Sequence, residues 1–505
     1  MADASSILGI ASTTWLLALL GSTATLYLLR RSLATDLDPA EPPLLAPKIP
    51  LIGHILGLMR YQNDYFGVLE EKPHPPAYTL PVLTDKIYII ATPELIQAVY
   101  RNTDLSFEEF FFGSMSMLAG ISKECQAAFN KPELGQAYLH GFTTMLSREN
   151  LHTINVSALK VISKELARLP AAPLQIDSFA LWLRDLITIA TTTALFGSKN
   201  PLIGKPHLAA GVYECNSNVF NTSIPRFMIK KELDGRSAIS REFTEYFARG
   251  YDSEPDVSPL VKFHGKLFRE QGLTIEENAM MHFGTIYGAL SNTFPTFFFT
   301  IMHLFCDLNL LKEVRAEAEK IVRRDGAQAT VNINALLDDT PLLTSIYRES
   351  FRVHFGSSIV RKSAVDTTIS DGQRSYLIKK GHTVMLRVPA MHHAPEFWGA
   401  ATESFDNERF LKAEADRARR KAFTPFGGGK HLCPGRNFAM AEILGIAVSL
   451  ALGFDITHPE GGAVKMPAVK PTQLTHIFGR PKPGEDLRAQ ISRRKGWEDV
   501  RWNFV

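Results

Sequence analysis

Hydrophobic and polar positions recur along this chain at several spacings, and each spacing predicts an element. Ile7 to Leu29 runs for 23 residues without a charge. As a helix it would be about 34 Å long, enough to cross a bilayer. Ala77–Leu80 and Lys86–Ala91 read as short strands, followed by a helix with Thr92 as N-cap and Pro93 as first residue. From Ser147 to Phe196 apolar residues recur at helical spacing, whereas Cys215 to Phe243 is less regular. Thr274-Ile-Glu-Glu277 forms a capping box that opens an apolar run to about Phe305. That run is apolar on nearly all faces, which predicts a buried helix. A second membrane span is the rival reading, but Ser291, Asn292, Thr293 and Pro295 interrupt the run. Pro295 removes a backbone hydrogen bond, so a distorted polar turn is expected there, with room for a small ligand. Thr340-Pro341 opens a further helix to about His354, and Asn437 to Leu452 carries the last helical pattern.

Composition narrows this picture. The chain has 505 residues, 45% hydrophobic and 21% charged, which is globular. Its net charge of +3 gives no long-range field for nucleic acid, so none is expected as a partner. Cys125, Cys215, Cys306 and Cys433 are widely spaced, which indicates neither a disulfide framework nor a zinc site. Arg30 and Arg31 follow the N-terminal apolar stretch, and Asp3 is the only charge before it. The positive-inside rule places the remainder of the chain in the cytosol. A cleaved signal peptide would want a basic start and a shorter apolar core. Asp36 to Pro50 holds five prolines and stiffens the chain. The expected organisation is an anchor over 1–31, a proline-rich hinge over 32–50 and one catalytic domain over 51–505.

The chemistry centres on Phe426-Gly-Gly-Gly-Lys-His-Leu-Cys433-Pro-Gly435-Arg436. A single cysteine sits in a glycine-rich loop that runs into a helix. Backbone N–H groups at that helix start favour a thiolate. Gly429 and Gly435 allow tight turns and close approach of something flat and large. Phe426 can cover one side of the sulfur, and His431 supplies a donor. A flexible loop with a small buried cysteine is the plainer reading. The full spacing Phe-x-x-Gly-x-x-x-Cys-x-Gly resembles the haem-binding signature of the cytochrome P450 superfamily.

That resemblance extends over most of the chain. It implies a mainly α fold with a small β portion, preceded by one transmembrane helix. Cys433 is then the axial ligand of a haem b iron, whose thiolate favours O–O cleavage. Glu349 and Arg352, three apart on one helix face, lock with Arg409 in the later Phe405-Asp-Asn-Glu-Arg409-Phe410 segment. These three are structural. Asn407 replaces the proline usual before that arginine. Arg361 and His431 match partners of the haem propionates. The family's Trp-x-x-x-Arg is absent between Gly135 and Leu151, with His140 and Arg148 as weak substitutes. Asn292 and Thr293 stand where an acid–alcohol pair is usual. In this departure Gly288-Ala-Leu-Ser-Asn292-Thr293-Phe-Pro295 resembles the sterol 7α- and 12α-hydroxylase and prostacyclin synthase branch and fungal relatives.

The function implied is oxidation of a small lipophilic molecule with O₂ and electrons from NADPH, passed by a partner reductase. Fungal secondary metabolism and the endoplasmic reticulum membrane are the expected setting. A haem-thiolate isomerase or dehydratase that needs no reductase is the alternative, and a haem-binding sensor a third. The run Lys412 to Lys421 reads either as a solvated loop or as a docking patch for an acidic electron donor. Phe110, Phe111, Phe112, Tyr287 and Ser357 are candidates for an apolar pocket, or for core packing.

Overall fold

The computed structural model describes residues 37–47, 53–71, 73–82, 85–129, 131–215, 226–411, 417–470, 472 and 477–505. The expected membrane helix, hinge residues 32–36 and 48–50, and residues 412–416 of the cationic run lie outside the described residues. Two compact units form, one from the chain up to Ser106 with Ile359–Arg387, the other from Phe107–Ser358 with Val388–Val505.

The first unit holds the larger sheet. Its strands are β1 (Ala77–Val82), β2 (Asp85–Ile90), β3 (Leu105–Ser106), β4 (Ile359–Ser363) and β5 (Thr383–Leu386), in the order β1-β2-β5-β4-β3. β1 and β2 pair antiparallel and β5 joins β2 in parallel. Both strand predictions hold to within two residues. Alternating Tyr78, Leu80 and Ile89 pack with Phe66 into one apolar cluster. Helix α1 (Pro93–Arg101) begins at the predicted proline, although the Thr92 side chain makes no capping bond. The proline-rich segment runs beside β1: Thr79 donates from its hydroxyl to Pro42 O at 2.6 Å, and Leu45 N donates to Thr79 O at 2.9 Å. Buried Glu41 meets Lys86 at 2.6 Å.

The second unit is mainly helical. Its principal helices are α2 (Glu108–Ala119), α3 (Pro132–Met145), α4 (Arg148–Ala167), α5 (Phe179–Phe196), α6 (Lys230–Ala248), α7 (Pro259–Glu270), α8 (Ile275–Cys306), α9 (Leu308–Ile321), α10 (Pro341–His354) and α11 (Arg436–Gly453). Two predictions need correction. The periodic stretch from Ser147 to Phe196 is not one helix. Pro170 and Pro173 end α4, the short strand Leu174–Ile176 follows, and Ser178 caps α5 by accepting from Leu181 N at 3.4 Å. Within the irregular-looking stretch from Cys215 to Phe243, α6 is continuous from Lys230, because its buried side burial needs only a few apolar residues such as Ile239 and Phe243.

Helix α8 is the axis of this unit, and α2, α5, α6, α10 and α11 all pack on it. Its capping box forms as the sequence predicts: Glu277 N donates to Thr274 Oγ1 at 3.1 Å and Thr274 N to Glu277 Oε2 at 3.0 Å. It ends where Asp307 caps α9, accepting from Asn309 N at 2.9 Å and Leu310 N at 3.1 Å. The chain bends by 107° there. The helix runs through Pro295 without interruption. Residues 278–286 and 296–302 on either side of that turn are buried in the core.

Among the described residues two helices, Phe179–Lys199 and Arg436–Gly453, are long and apolar enough to cross a membrane. Most of each, 67% and 78%, is buried inside the protein, so their apolarity is that of core.

Candidate active site around Cys433

The cysteine loop is shaped by two glycines in the left-handed region, Gly427 at φ 74° and Gly429 at φ 65°. Gly429–His431 then forms a 3₁₀ turn, and Cys433 N donates to Phe426 O at 3.1 Å. Gly435 lies in a turn with Pro434, without entering the left-handed region. Its φ is −82°, and it serves as the N-cap position of α11. A Cβ there would meet no protein atom within 4 Å, so what Gly435 provides is open space.

Burial pushes the Cys433 thiol pKa up, while the N–H groups of Gly435 and Arg436 and the Arg436 charge act against it. The other three thiols contrast with it. Burial pushes Cys125, Cys215 and Cys306 up to about 12. Only around Cys433 do backbone N–H groups favour the anion, as a helix start does.

Phe426 packs edge-on against Phe351 of α10, ring centroids 4.9 Å apart. His431 Nε2 accepts from Phe107 N at 3.3 Å, and its ring lies 6.3 Å from that of Phe107. Arg361 sits on β4 in the first unit. It is buried, with its guanidinium 5.7 Å from the centre of the Tyr100 ring and Nη1 donating to Val360 O at 2.8 Å. His140 is exposed on α3, Arg148 opens α4, and the Arg148 side chain lies outside the described residues.

Glu349, Arg352 and Arg409 come together. Glu349 and Arg352 are wholly buried, so this is no surface pair. Arg352 donates to both Glu349 oxygens at 2.8 Å. Its remaining N–H groups go to His392 O, Thr402 O and Ser404 O at 2.9, 2.6 and 3.1 Å. All five guanidinium donors are therefore used. Arg409 Nε and Asp406 N add bonds to Glu349 Oε1 at 3.0 and 3.1 Å. Arg409 also donates to Trp398 O. A helix and the loop preceding the cysteine are thus tied through one carboxylate.

The middle of α8 differs from its ends. Residues 278–286 and 296–302 are buried, but Gly288 and Asn292 are exposed and Tyr287, Ser291, Thr293 and Pro295 are half-exposed. A Cβ on Gly288 would meet nothing within 4 Å. The helix is thus buried at both flanks and accessible at its centre. Asn292 Nδ2 turns back to Gly288 O at 3.2 Å. Thr285, Thr296 and Thr300 each donate to a carbonyl four residues back, at 3.4, 3.0 and 2.8 Å. Thr293, the remaining threonine of α8, makes no hydrogen bond among the described residues. An open helix face, the space at Gly435 and a cysteine with backbone donors fit a large flat group with one thiolate ligand.

The aromatic candidates separate. Phe112 is core, packed with Phe129 and Tyr138, whereas Phe110 is exposed. Phe111 is half-buried against Tyr138, and Ser357 donates to Ser358 O at 3.3 Å. Sequence reasoning missed Glu442, the seventh residue of the apolar α11. Thr191 of α5 donates to its two oxygens at 2.8 and 2.9 Å, and burial pushes its pKa up to about 8.

Comparison with known proteins agrees with this geometry. The Cytochrome P450 family model matches residues 251–485, which include α8, the Glu349 network and the cysteine loop. A cytochrome P450 monooxygenase of Gibberella zeae is 32% identical over 96% of this chain and 95% of its own. Cytochrome P450 monooxygenase nodJ of Hypoxylon pulicicidum is 26% identical over 93% of each chain. Cytochrome P450 7B1 of Mus musculus is 25% identical over 87% of this chain and 90% of its own. A cysteine poised at a helix start, an open turn on the central helix and near full-length similarity to monooxygenases make this chain a member of the cytochrome P450 family, a haem-dependent oxidoreductase of the monooxygenase kind.

Proposed function

We propose that this protein hydroxylates or otherwise oxidises a small lipophilic substrate in the making of a secondary metabolite of terpenoid, sterol-like or polyketide type. Electrons come from NADPH through a partner reductase. One atom of O₂ enters the substrate and the other leaves as water, with uptake of two electrons and two protons. Haem b, held by Cys433 with His431 and Arg361 toward its propionates and Phe426 and Gly429 shaping the loop, supplies the O₂ chemistry when bound.

The observation that carries this reading is the Thr293 hydroxyl. Every other threonine on α8 ties its hydroxyl to its own helix, and Thr293 does not. It is therefore available to hold a water and pass protons into the open turn. Asn292 has no ionisable group, so it orients a water without acting as an acid. Thr293→Ala is expected to leave the haem spectrum and substrate binding intact. Product per NADPH should fall about ten-fold or more, with hydrogen peroxide appearing in its place. An unchanged ratio would make Thr293 a structural residue. Turnover by the wild type without NADPH would replace this reading with that of an isomerase.

The reductase reading draws on a cavity of about 580 Å³ lined by Arg348, Arg419, Arg420 and Arg436 together with Tyr347 and Phe351. Four arginines around an aromatic floor suit an acidic partner. Arg419 Nε donates to Phe397 O at 2.7 Å, so its reversal would disturb the fold. Exposed Arg417 and Arg420 are the better probes. Reversing both to Glu should slow reductase-driven turnover several-fold, and added salt should slow the wild type. Equal rates at equal haem content would leave the run a solvated surface.

Residues 1–31 are read as a single anchor in the endoplasmic reticulum membrane, with 32–50 as hinge and 51–505 as the cytosolic catalytic domain. Deleting 1–31 should release protein from the membrane fraction while haem binding persists. Secretion of the intact chain with a shortened N-terminus would contradict this.

A further inference from the structure

Beyond its first residue, the cysteine helix α11 carries a single ionisable side chain, Glu442. Both Glu442 and Thr191 of α5 are buried. The Thr191 hydroxyl stands 2.8 and 2.9 Å from the two carboxyl oxygens, and among the described residues it is the only hydrogen-bond partner of that side chain. One hydroxyl has one proton to give, whereas an ionised carboxylate offers about four acceptor sites. A buried charge with one donor and no counter-charge is costly, so the carboxyl holds its proton. Its pKa, pushed up to about 8 by burial, agrees with that geometry.

The charges of the surrounding elements are engaged elsewhere. Helices α4, α8, α9, α10 and the short helix Ile333–Asp338 pack on α11, and α5 meets it through Thr191. On α4 and the short helix the described charged side chains are exposed, save Glu165, which pairs with Arg168 at 2.5 Å. On α9, Arg315 pairs with Asp455 at 2.7 Å, and Glu317 accepts from Leu342 N and Leu343 N at 2.7 and 3.0 Å. Glu349 and Arg352 of α10 pair with each other, and Arg184 of α5 with Asp185 at 2.6 Å. His303 of α8 meets His354 at 2.9 Å. The titratable group that senses a charge on Glu442 is Tyr213, whose hydroxyl meets Thr188 Oγ1 at 2.7 Å. Ionisation of Glu442 therefore places a charge without a counter-charge in the core.

Glu442 follows Arg436 by six residues, about 9 Å along the helix axis from the N–H groups that face the Cys433 sulfur. In a low-dielectric interior a charge is felt over that distance. We infer that Glu442 is a positioning residue for electron entry, linking reduction of the haem held by Cys433 to the gain of one proton. With the carboxyl neutral, one electron from the donor enters without a second negative charge nearby. With the carboxyl ionised, the same electron turns ferric iron ferrous and draws one proton from water onto Glu442, so the charge of the region is unchanged. By linkage, proton and electron favour each other equally. This rests on the proposed haem at Cys433 and adds a control on its reduction.

The experiment uses the full-length haem-loaded protein as wild type, Glu442→Gln and Thr191→Val. Absorbance reads the share of reduced haem at fixed applied potentials, from mildly acidic to alkaline pH. Groups other than Glu442 act alike on the wild type and Glu442→Gln, so their difference reports this carboxyl. As pH rises through about 8, the ratio of reduced to oxidised haem in the wild type should fall about five-fold or more relative to Glu442→Gln. Thr191→Val removes the donor that favours the anion, so the fall should move to higher pH. Thermal unfolding checks the sign separately. The folded carboxyl keeps its proton above the ordinary value of 4.5, so the wild type should lose stability relative to Glu442→Gln from about pH 4.5 to about pH 8 and no further above. A merely structural Glu442 would shift melting and leave the reduction profiles superimposed. The inference is overturned by superimposed profiles, or by a Thr191→Val fall at the wild-type pH. If Glu442→Gln yields no haem protein, a wild-type profile without a fall near pH 8 that Thr191→Val raises overturns it equally. A protein whose reduced carbon monoxide complex lacks the thiolate spectrum would instead defeat the underlying reading of the site.

Discussion

Cys433→Ser is expected to abolish the spectrum of thiolate-ligated haem in the reduced carbon monoxide complex, while the far-ultraviolet circular dichroism of the chain stays helical. The argument is one of chemical type and position. A serine hydroxyl does not ionise near neutral pH and is a poor ligand for iron, whereas a coordinated thiol is deprotonated outright. Cys433 also has what the other three cysteines lack. Gly435 and Arg436 point N–H groups at its sulfur, and the Arg436 charge adds to them. Burial pushes Cys125, Cys215 and Cys306 up to about 12, and at none of them does a backbone N–H favour the anion. Oxidase activity should fall to background with the spectrum. Retention of the thiolate spectrum in Cys433→Ser would mean that another residue binds the iron.

Glu349→Gln is expected to destabilise the catalytic unit by about 3–5 kcal/mol, the cost of breaking a buried ion pair. Gln keeps the volume but not the charge, and leaves Arg352 and Arg409 buried without their counter-charge. Its amide NH₂ would also face guanidinium N–H groups, donor against donor. Domains of this kind are stable by only about 5–15 kcal/mol, so the loss is a large fraction of the total. The midpoint of thermal unfolding should drop markedly, and the share of purified chain carrying thiolate-ligated haem should drop with it. Glu349→Asp should be intermediate, since a shorter carboxylate cannot reach both arginines. A Glu349→Gln protein that melts with the wild type and holds a full complement of haem would show that the network is dispensable.

Much of this site is written locally. The cysteine loop needs residues only ten positions apart, and its glycines, cysteine and following apolar run are all contiguous. The capping box of α8 is equally local, with donors and acceptors three residues apart. Glu349 and Arg352 share a helix face for the same reason. Other features were not legible. Pro170 and Pro173 break a stretch whose apolar spacing alone reads as one helix, because periodicity reports a face and proline reports an end. The cationic run was visible as charge. That its arginines join Arg348 of α10 and Arg436 of α11 around one cavity was not.

By itself, then, the sequence determined the family, the mainly helical class, the cysteine loop and the order of the elements, since each depends on residue type at short spacing. Tertiary structure decided burial and direction. Whether Glu349 and Arg352 form a weak surface pair or a buried network depends on what covers them, and Arg409 reaches Glu349 from 60 residues away. Whether a threonine on α8 binds its own helix or faces open space depends on which side of the helix other elements leave uncovered. Burial, the local dielectric and the aim of a side chain are properties of neighbours distant in the chain, and local spacing carries no record of them.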